Sequence, residues 1–204
     1  GVRLVGSEMC IRDSDQGIHK NRIEKMAKPT PFGIIVKKYR IIRRDNTDTQ
    51  FLHCIAQDNL ADAIAVAARS IDANDRIHGH QHRIGRKKLN AFAASLSSGL
   101  HQIQVATTFQ EIYDIVKAYR TDKIGELAIY DTSHRIGAFR GIYPDEVYLH
   151  SGTLIGARKI FGTLKGRKTL KLSDFSPTIQ QEHLTAQEME DVLCIFKNSM
   201  HSGL

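Results

Sequence analysis

Two copies of the pattern Thr-x-x-Glu, at 108–111 and 185–188, each precede an apolar series with helical spacing. In this capping box the threonine hydroxyl accepts a hydrogen bond from the glutamate amide, and the glutamate carboxylate accepts one from the threonine amide. The box satisfies donors that the start of a helix otherwise leaves unpaired. Each box therefore predicts a helix, the first with an apolar face formed by Ile112, Ile115, Val116 and Tyr119.

Helical patterns also dominate the rest of the chain. The alanine-rich segment 59–72, with Asp58 as its cap, and the segment 82–99, ending at Gly99, both have apolar residues three and four apart. The segment 34–44 is predicted as a helix, and the alternating segment 100–107 as a short strand or an extended connector. Because no strands alternate with helices along the chain, the sequence predicts a mainly α fold, a helical bundle.

Length and composition are typical of a globular domain. The chain has 204 residues, of which 41% are hydrophobic, and no apolar run approaches the length of a membrane span. No secretory leader is visible, so a cytoplasmic protein without membrane contact is predicted. The three cysteines are widely spaced, with no C-x-x-C pair, and indicate neither a disulfide framework nor a zinc ribbon.

The first 25 residues stand apart from this pattern. Residues 5–14, VGSEMCIRDS, resemble a translated sequencing adapter of the kind found at the ends of open reading frames from environmental sequence collections. We therefore expect residues 1–14 to be an artefact and residues 15–25 to be translated leader, with Met26 as the natural start. The domain is accordingly predicted over 26–204.

Positive charge is concentrated in three segments. The formal net charge is +7, and the segments 37–44, 76–88 and 158–171 hold five, five and six lysines and arginines and contain no acidic residue. Segregated positive charge of this kind favours a polyanionic partner, and nucleic acid is the usual one. A solvated basic face without a partner is the alternative interpretation.

One basic segment follows a short motif that resembles a helix-hairpin-helix DNA-binding element. In LHSGTLIGARKI, Leu149 occupies the leucine position before the turn, residues 151–153 the turn, Ala157 the alanine position and Ile160 the following aliphatic position. The motif normally has glycine at the first and third turn positions, whereas this chain has Ser151 and Thr153 there. The resemblance implies a helix over PDEVYLH, then a turn whose amides hold a DNA phosphate and a second helix starting near Thr153.

A second motif of this type lies upstream, around Gly125, with Lys123 at the other expected glycine position. Two hairpins in tandem over 121–171 would hold both sides of a duplex groove, so duplex DNA bound without sequence specificity is the favoured partner. The residue pattern of this region is also similar to bacterial proteins of unassigned function. The residues predicted to contact nucleic acid are Gly125, Ser151, Gly152, Thr153, Gly156, Arg158, Lys159, Lys165, Arg167, Lys168, Arg83, Arg86, Lys87 and Lys88.

Three histidines in one short segment, His78, His80 and His82, form a candidate metal site. In an extended segment alternate side chains point to the same side, so the three imidazoles could converge on a cation. The neighbouring cations oppose a bound metal. Contacts to phosphate from the start of a helix are the favoured interpretation, and no cofactor is predicted.

Asp131 and His134 are the candidate catalytic residues. An aspartate after a hairpin resembles the helix-hairpin-helix DNA glycosylases, but only a few residues separate Asp131 from Gly125, fewer than in those enzymes. A pairing of Asp131 with Arg135 one helical turn later is the structural alternative. No nucleotide-binding loop or G-x-S-x-G is present. Binding is therefore favoured over catalysis, with two alternatives: a nucleic-acid-processing enzyme using Asp131, His134 or the 78–82 histidines, and a structural helical module for protein interaction.

Overall fold

The computed structural model describes residues 31–45 and 48–204, so the predicted artefact, leader and start at Met26 lie outside the described residues. The prediction of a mainly α fold is confirmed, since ten α-helices and a minimal two-stranded sheet make up this part of the chain. No helix among the described residues is long and apolar enough to cross a membrane. The elements are α1 (Phe32–Asp45), α2 (Thr49–Ile55), α3 (Leu60–Arg69), α4 (Arg86–Ser97), α5 (Leu100–Val105), α6 (Phe109–Ala118), α7 (Glu126–Arg140), β1 (Val147–Tyr148), α8 (Ser151–Phe161), β2 (Thr169–Leu170), α9 (Pro177–Gln180) and α10 (Ala186–Ile195), with short 3-10 turns at Leu172–Asp174 and Lys197–Ser199.

Both predicted capping boxes are present. The Glu111 amide donates to the Thr108 hydroxyl over 3.2 Å, and the Glu111 carboxylate accepts from the Thr108 amide over 3.1 Å. The Thr185 and Glu188 pair repeats this arrangement at the start of α10. The start of α3 differs by one residue from the prediction, because the side chain of Asn59 rather than that of Asp58 caps the helix.

Two segments fold differently from the sequence prediction. Residues 100–105 form helix α5, because Leu100 and Ile103, three residues apart, both pack into the core as one helical face. The prediction of a strand or extended connector there is wrong. Residues 82–84 lie in turns, and α4 begins only at Arg86, after Gly85 with its positive φ of 82°.

The segment before α8 is extended rather than helical. Val147 and Tyr148 form β1, which pairs antiparallel with Leu170 and Thr169 of β2. A β-branched and an aromatic residue suit this pairing, and both are buried. The helix predicted over PDEVYLH is therefore wrong, so the motif around Gly152 lacks the first helix of a helix-hairpin-helix. The helix after it begins at Ser151 rather than near Thr153.

The apolar side chains form two main clusters. The first lies among α2 to α7 and includes Phe92, Ile112 and Ile129, whereas the second joins α1, the small sheet, α8, α9 and α10 and includes Tyr39, Val147 and Leu193. A third, small cluster of Phe109, Tyr130 and Tyr148 connects α6 and α7 to β1. Polar and titratable side chains of the loop after α3, of α7 and of the region between α8 and α10 form the site described next.

Candidate functional site

The loop from Ser70 to Gly85 is held in a defined shape by its own hydrogen bonds. Ser70 ends α3 in the left-handed conformation, with a φ of 54°, and its carbonyl accepts from the His78 amide over 2.8 Å. Within the loop, the buried Asp72 carboxylate accepts from the amides of Asn74 and Arg76, each over 2.9 Å, and from the Arg76 guanidinium. The loop therefore presents His78 and the residues after it in a fixed orientation.

Turns, not an extended strand, bring two of the three loop histidines together. The amide of Gln81 donates to the His78 carbonyl over 3.0 Å, and the chain continues through turns to Ile84. The rings of His78 and His80 meet edge to face, with centroids 4.7 Å apart. His82 is exposed and lies outside this pair, so the candidate arrangement of three imidazoles on an extended segment does not form.

Asp131 on α7 completes a cluster with these two histidines. His80 Nδ1 lies 3.7 Å from Asp131 Oδ2, and one potential ligand atom from each of His78, His80 and Asp131 lies within 4.8 Å of the others. The side chains of His80 and Asp131 are 23% and 17% exposed. The cluster is therefore partly enclosed but open to solvent on one side.

Gln81 connects the members of this cluster. Its Nε2 donates to Asp131 Oδ2 over 2.5 Å, and its Oε1 accepts from the Ser70 hydroxyl over 3.0 Å and lies 3.1 Å from His78 Nδ1. Arg135 donates to the same hydroxyl over 3.0 Å, rather than forming the predicted pairing with Asp131. Because Gln81 is only 2% exposed, its amide is a buried brace for the carboxylate and one imidazole.

The electrostatics of the cluster favour a carboxylate beside neutral histidine. Burial would raise the pKa of Asp131, but the contact with His80 and the charge of Arg135 outweigh it and lower that pKa. Burial lowers the pKa of His78, and the positive charge of Arg135 lowers it further. At neutral pH the cluster therefore holds an ionised Asp131 and an uncharged His78.

A second polar group lies between α8 and α10. His150 is the residue before α8, and its Nε2 lies 2.8 Å from Glu190 Oε1. The angle at this contact is unfavourable for a hydrogen bond, so the two groups form a close ion-pair contact. The hydroxyl of Thr153 donates to the same carboxylate oxygen over 2.6 Å. Burial lowers the pKa of His150, but contact with Glu190 more than offsets it, and the net effect is a raised pKa. All three side chains are buried, so the Glu190 carboxylate is held inside the protein by contacts with both neighbours.

Asp191, the residue after Glu190 on α10, has a carboxyl group with a raised pKa. Its carboxylate accepts a hydrogen bond from the Tyr39 hydroxyl over 2.9 Å and lies 3.8 Å from the Arg43 guanidinium. Burial and the nearby charge of Glu190 nevertheless raise the pKa of Asp191 to about 7. Two adjacent carboxylates in a buried setting cannot both ionise without cost.

The candidate catalytic residue His134 is not a member of the group formed by His78, His80 and Asp131. Its ring packs between Phe51, at 5.2 Å, and Tyr130, at 6.1 Å and almost parallel. Burial lowers the pKa of His134 and favours the neutral ring. Asp131 and His134 are thus not brought together as a catalytic pair, and Asp131 is joined instead by His80 and His78.

The glycines of the motif around α8 serve close helix packing. A Cβ on Gly152 would lie 2.5 Å from Cys194 Sγ, and one on Gly156 would lie 3.0 Å from the Leu193 carbonyl carbon. Thr153, between them, is buried against Glu190. The start of α8 already faces a buried carboxylate, and of the predicted turn residues only Ser151 is exposed.

Gly125 lies in a different setting, at the start of α7 after the connection from α6. It is the residue before the helix, and a Cβ there would have open space around it. The next residue, Glu126, accepts a hydrogen bond from the Tyr113 hydroxyl over 2.6 Å and lies 3.5 Å from Lys117 Nζ. Helices α6 and α7 thus form a helical pair around this turn, with a carboxylate at its exposed side.

A basic groove follows α8. The loop of residues 162–168 curves beside α8 with positive φ at Gly162, Lys165 and Gly166, and the Lys168 carbonyl accepts from the Leu149 amide. The groove has a volume of about 460 Å³. Its lining contains four cations and no acidic side chain, the members being Leu149, Leu154, Arg158, Gly162, Thr163, Leu164, Lys165, Gly166, Arg167 and Lys168.

The other predicted cations differ in how far they are neutralised. Arg167 lies 2.6 Å from Asp174, whereas Arg158, Lys159, Lys165 and Lys168 are exposed. Around the start of α4, Arg86 contacts both carboxylate oxygens of Asp75 and Lys88 lies 3.5 Å from Asp122. Arg83 and Lys87 are exposed there. The groove after α8 therefore has the larger uncompensated positive charge.

Comparisons of the chain with protein-family models, with curated proteins and with solved structures find no match. Two features of the described residues remain as functional candidates: the basic groove and the polar cluster around Asp131. The sequence pattern contained His78, His80 and Asp131, but their meeting depends on a turn and on helix α7, more than 40 residues later in the chain. No local signal linked His150 to Glu190 or assigned Gln81 its bracing position.

Proposed function

We propose that the protein binds nucleic acid, with duplex DNA as the favoured partner, through the basic groove after α8. The observation that carries this proposal is a concave surface lined by Arg158, Lys165, Arg167 and Lys168 without an acidic side chain. Lysine and arginine attract phosphates by releasing the counterions condensed on the nucleic acid. Such contacts position a duplex without reading its bases, so binding without sequence specificity follows.

The phosphate contacts in this proposal come from side chains rather than from the start of α8. Gly152, Thr153 and Gly156 are buried against α10, and Glu190 lies beside the first turn of the helix. A carboxylate at that place repels a phosphate. The exposed Lys165 and Lys168, by contrast, project from the loop that forms the groove.

The test measures the anisotropy of a labelled duplex of about 20 base pairs at several potassium chloride concentrations. Each phosphate contact contributes roughly 0.9 to the slope of log K against log salt for duplex DNA. The double variant Lys165→Gln, Lys168→Gln is therefore expected to reduce the slope by about 1.8 and to weaken binding at low salt. Labelled single-stranded and RNA probes of equal length show which nucleic acid binds best.

A matched control removes the same charge from another surface. Lys37 and Lys38 of α1 are both exposed, and Lys37→Gln, Lys38→Gln also lowers the net charge by two. This control is expected to retain most of the affinity and the slope. Equal losses in the two double variants would show attraction by total charge and would refute the groove as the binding surface.

A nucleic-acid-processing enzyme is a second candidate, favoured by the meeting of His78, His80 and Asp131 in a partly open cluster. Incubating labelled duplex with the protein and Mg²⁺, Mn²⁺ or Zn²⁺ tests it. Cleavage by the parent protein that is lost in Asp131→Asn supports the enzyme proposal. Binding of the duplex without cleavage products supports the proposal of a binding protein. If neither binding nor cleavage occurs at low salt, the structural interaction module is the remaining proposal.

A further inference from the structure

We propose that His78, His80 and Asp131 form a binding site for a divalent transition metal ion of the Zn²⁺ class. Two imidazoles and one carboxylate are a ligand set that such ions accept, with water in the remaining position. The site is separate from the basic groove, and the inference goes beyond nucleic-acid binding.

The distances suit this ion after a small closure of the cluster. Zn–N and Zn–O bonds of about 2.0–2.1 Å in a tetrahedron put ligand atoms about 3.4 Å apart. His80 Nδ1 and Asp131 Oδ2 are already 3.7 Å apart, and all three ligand atoms lie within 4.8 Å of one another. Side-chain rotations that shorten these separations by up to about 1.4 Å would complete the site.

The groups behind the ligands are those that a metal site needs. Metal-bound histidines and carboxylates are usually held by a second set of hydrogen bonds that fix their orientation. Gln81 supplies both kinds, because its Nε2 donates to Asp131 and its Oε1 lies 3.1 Å from His78 Nδ1. The His80 amide donates to the same Nδ1 over 3.3 Å, so two groups of the loop fix the orientation of the His78 ring.

The site can also be reached from solvent. The side chains of His80 and Asp131 are 23% and 17% exposed, so solvent reaches both ligand residues. Two nearby cations are already paired with carboxylates, Arg76 of the loop with Asp72 and Arg86 at the start of α4 with Asp75. Arg135 remains nearby through Ser70, and its charge opposes the ion. We therefore expect a dissociation constant on the order of micromolar rather than nanomolar.

The test uses the full chain without a histidine tag, treated with a chelator and then titrated with ZnCl₂ in a calorimeter. One Zn²⁺ per chain is expected. His80→Ala and Asp131→Asn are each expected to weaken binding at least tenfold, the latter while keeping an oxygen for Gln81. Co²⁺ in place of Zn²⁺ adds a visible absorption band whose intensity reports a tetrahedral site.

His82→Ala is the matched control, because His82 belongs to the same turn but is exposed and lies outside the cluster. This variant should bind Zn²⁺ as the parent protein does. Circular dichroism of each variant distinguishes the loss of a metal ligand from the loss of folding. If His80→Ala is misfolded, the test rests on Asp131→Asn, which is the most conservative change. The proposal is overturned if the parent protein binds no stoichiometric Zn²⁺, or if His82→Ala weakens binding as much as His80→Ala.

Discussion

Gly156 is the position where one added carbon atom should have the largest effect on the packing of α8 against α10. The methyl group of an alanine at this position would collide with the Leu193 main-chain carbonyl, whose carbon lies 3.0 Å and whose Cα lies 3.2 Å from the Cβ position. The obstacle is backbone, which cannot rotate aside as a side chain can. Gly156→Ala must therefore move the two helices apart.

The expected cost follows from two opposing effects. An outward shift of about 1 Å forfeits a quarter to a half of the dispersion energy at the affected contacts, and overpacked cores usually lose about 1–3 kcal/mol. Alanine in place of glycine inside a helix returns about 1 kcal/mol through its helix propensity. Because the obstacle is main chain and α8 and α10 form the centre of the second apolar cluster, the overpacking cost should lie at the upper end of this range, about 2–3 kcal/mol. We therefore expect a net destabilisation of about 1–2 kcal/mol.

Urea unfolding followed by circular dichroism at 222 nm measures this difference, with an unchanged slope indicating the same two-state transition. Gly152→Ala is the informative comparison, because its Cβ would meet the Cys194 Sγ at 2.5 Å rather than the main chain. The additional change Cys194→Ala should restore stability to Gly152→Ala but not to Gly156→Ala. A Gly156→Ala variant as stable as the parent, or about 1 kcal/mol more stable as propensity alone predicts, would refute the close packing.

Two further predictions concern α10. Folding raises the pKa of Asp191 from 3.8 to about 7, so the folded state holds a proton that the unfolded state releases, and stability falls as pH rises through this window. The variant Asp191→Asn lacks this proton, so its stability should not depend on pH in this way. Its free energy of unfolding relative to that of the parent should rise by about 2–3 kcal/mol between pH 5 and pH 8, at 1.36 kcal/mol per pKa unit. A difference between variant and parent that stays the same at both pH values in urea unfolding would contradict this prediction. Thr185→Ala removes the cap of α10 and should cost about 1 kcal/mol in the same assay, whereas the exposed Ser151→Ala should change stability by less than about 0.5 kcal/mol.

The sequence predicted those features that depend on neighbouring residues. The boxes at Thr108 and Thr185 are local hydrogen-bond patterns, and the helices that follow them carry clear apolar faces. Over the six residues of α5 an alternating pattern also satisfies a three-residue spacing, so the period could not distinguish strand from helix. For Val147 and Tyr148 the deciding factor is pairing with residues 169 and 170, which no local pattern contains.

The candidate site shows the same division between local and distant information. The glycines around α8 resembled a phosphate-binding turn, yet a glycine that permits close approach of a phosphate also permits close approach of a helix. Only the position of Leu193 and Cys194 on α10 distinguishes the two roles. The basic segment 158–171, by contrast, was predicted as a charged surface and does line a groove, because exposed charge depends little on tertiary packing.

Helix α8 is part of the groove but not of the proposed metal site. Leu154 and Arg158 line the groove from α8, whereas His78 and His80 lie in the loop after α3 and Asp131 lies on α7. A displacement of α8 by Gly156→Ala should therefore weaken duplex binding several-fold while leaving Zn²⁺ affinity unchanged. Calorimetry and anisotropy on this one variant measure both quantities, below the temperature at which it unfolds. If Gly156→Ala weakened both interactions equally, the two sites would be a single coupled unit, and their separate assignment would be wrong.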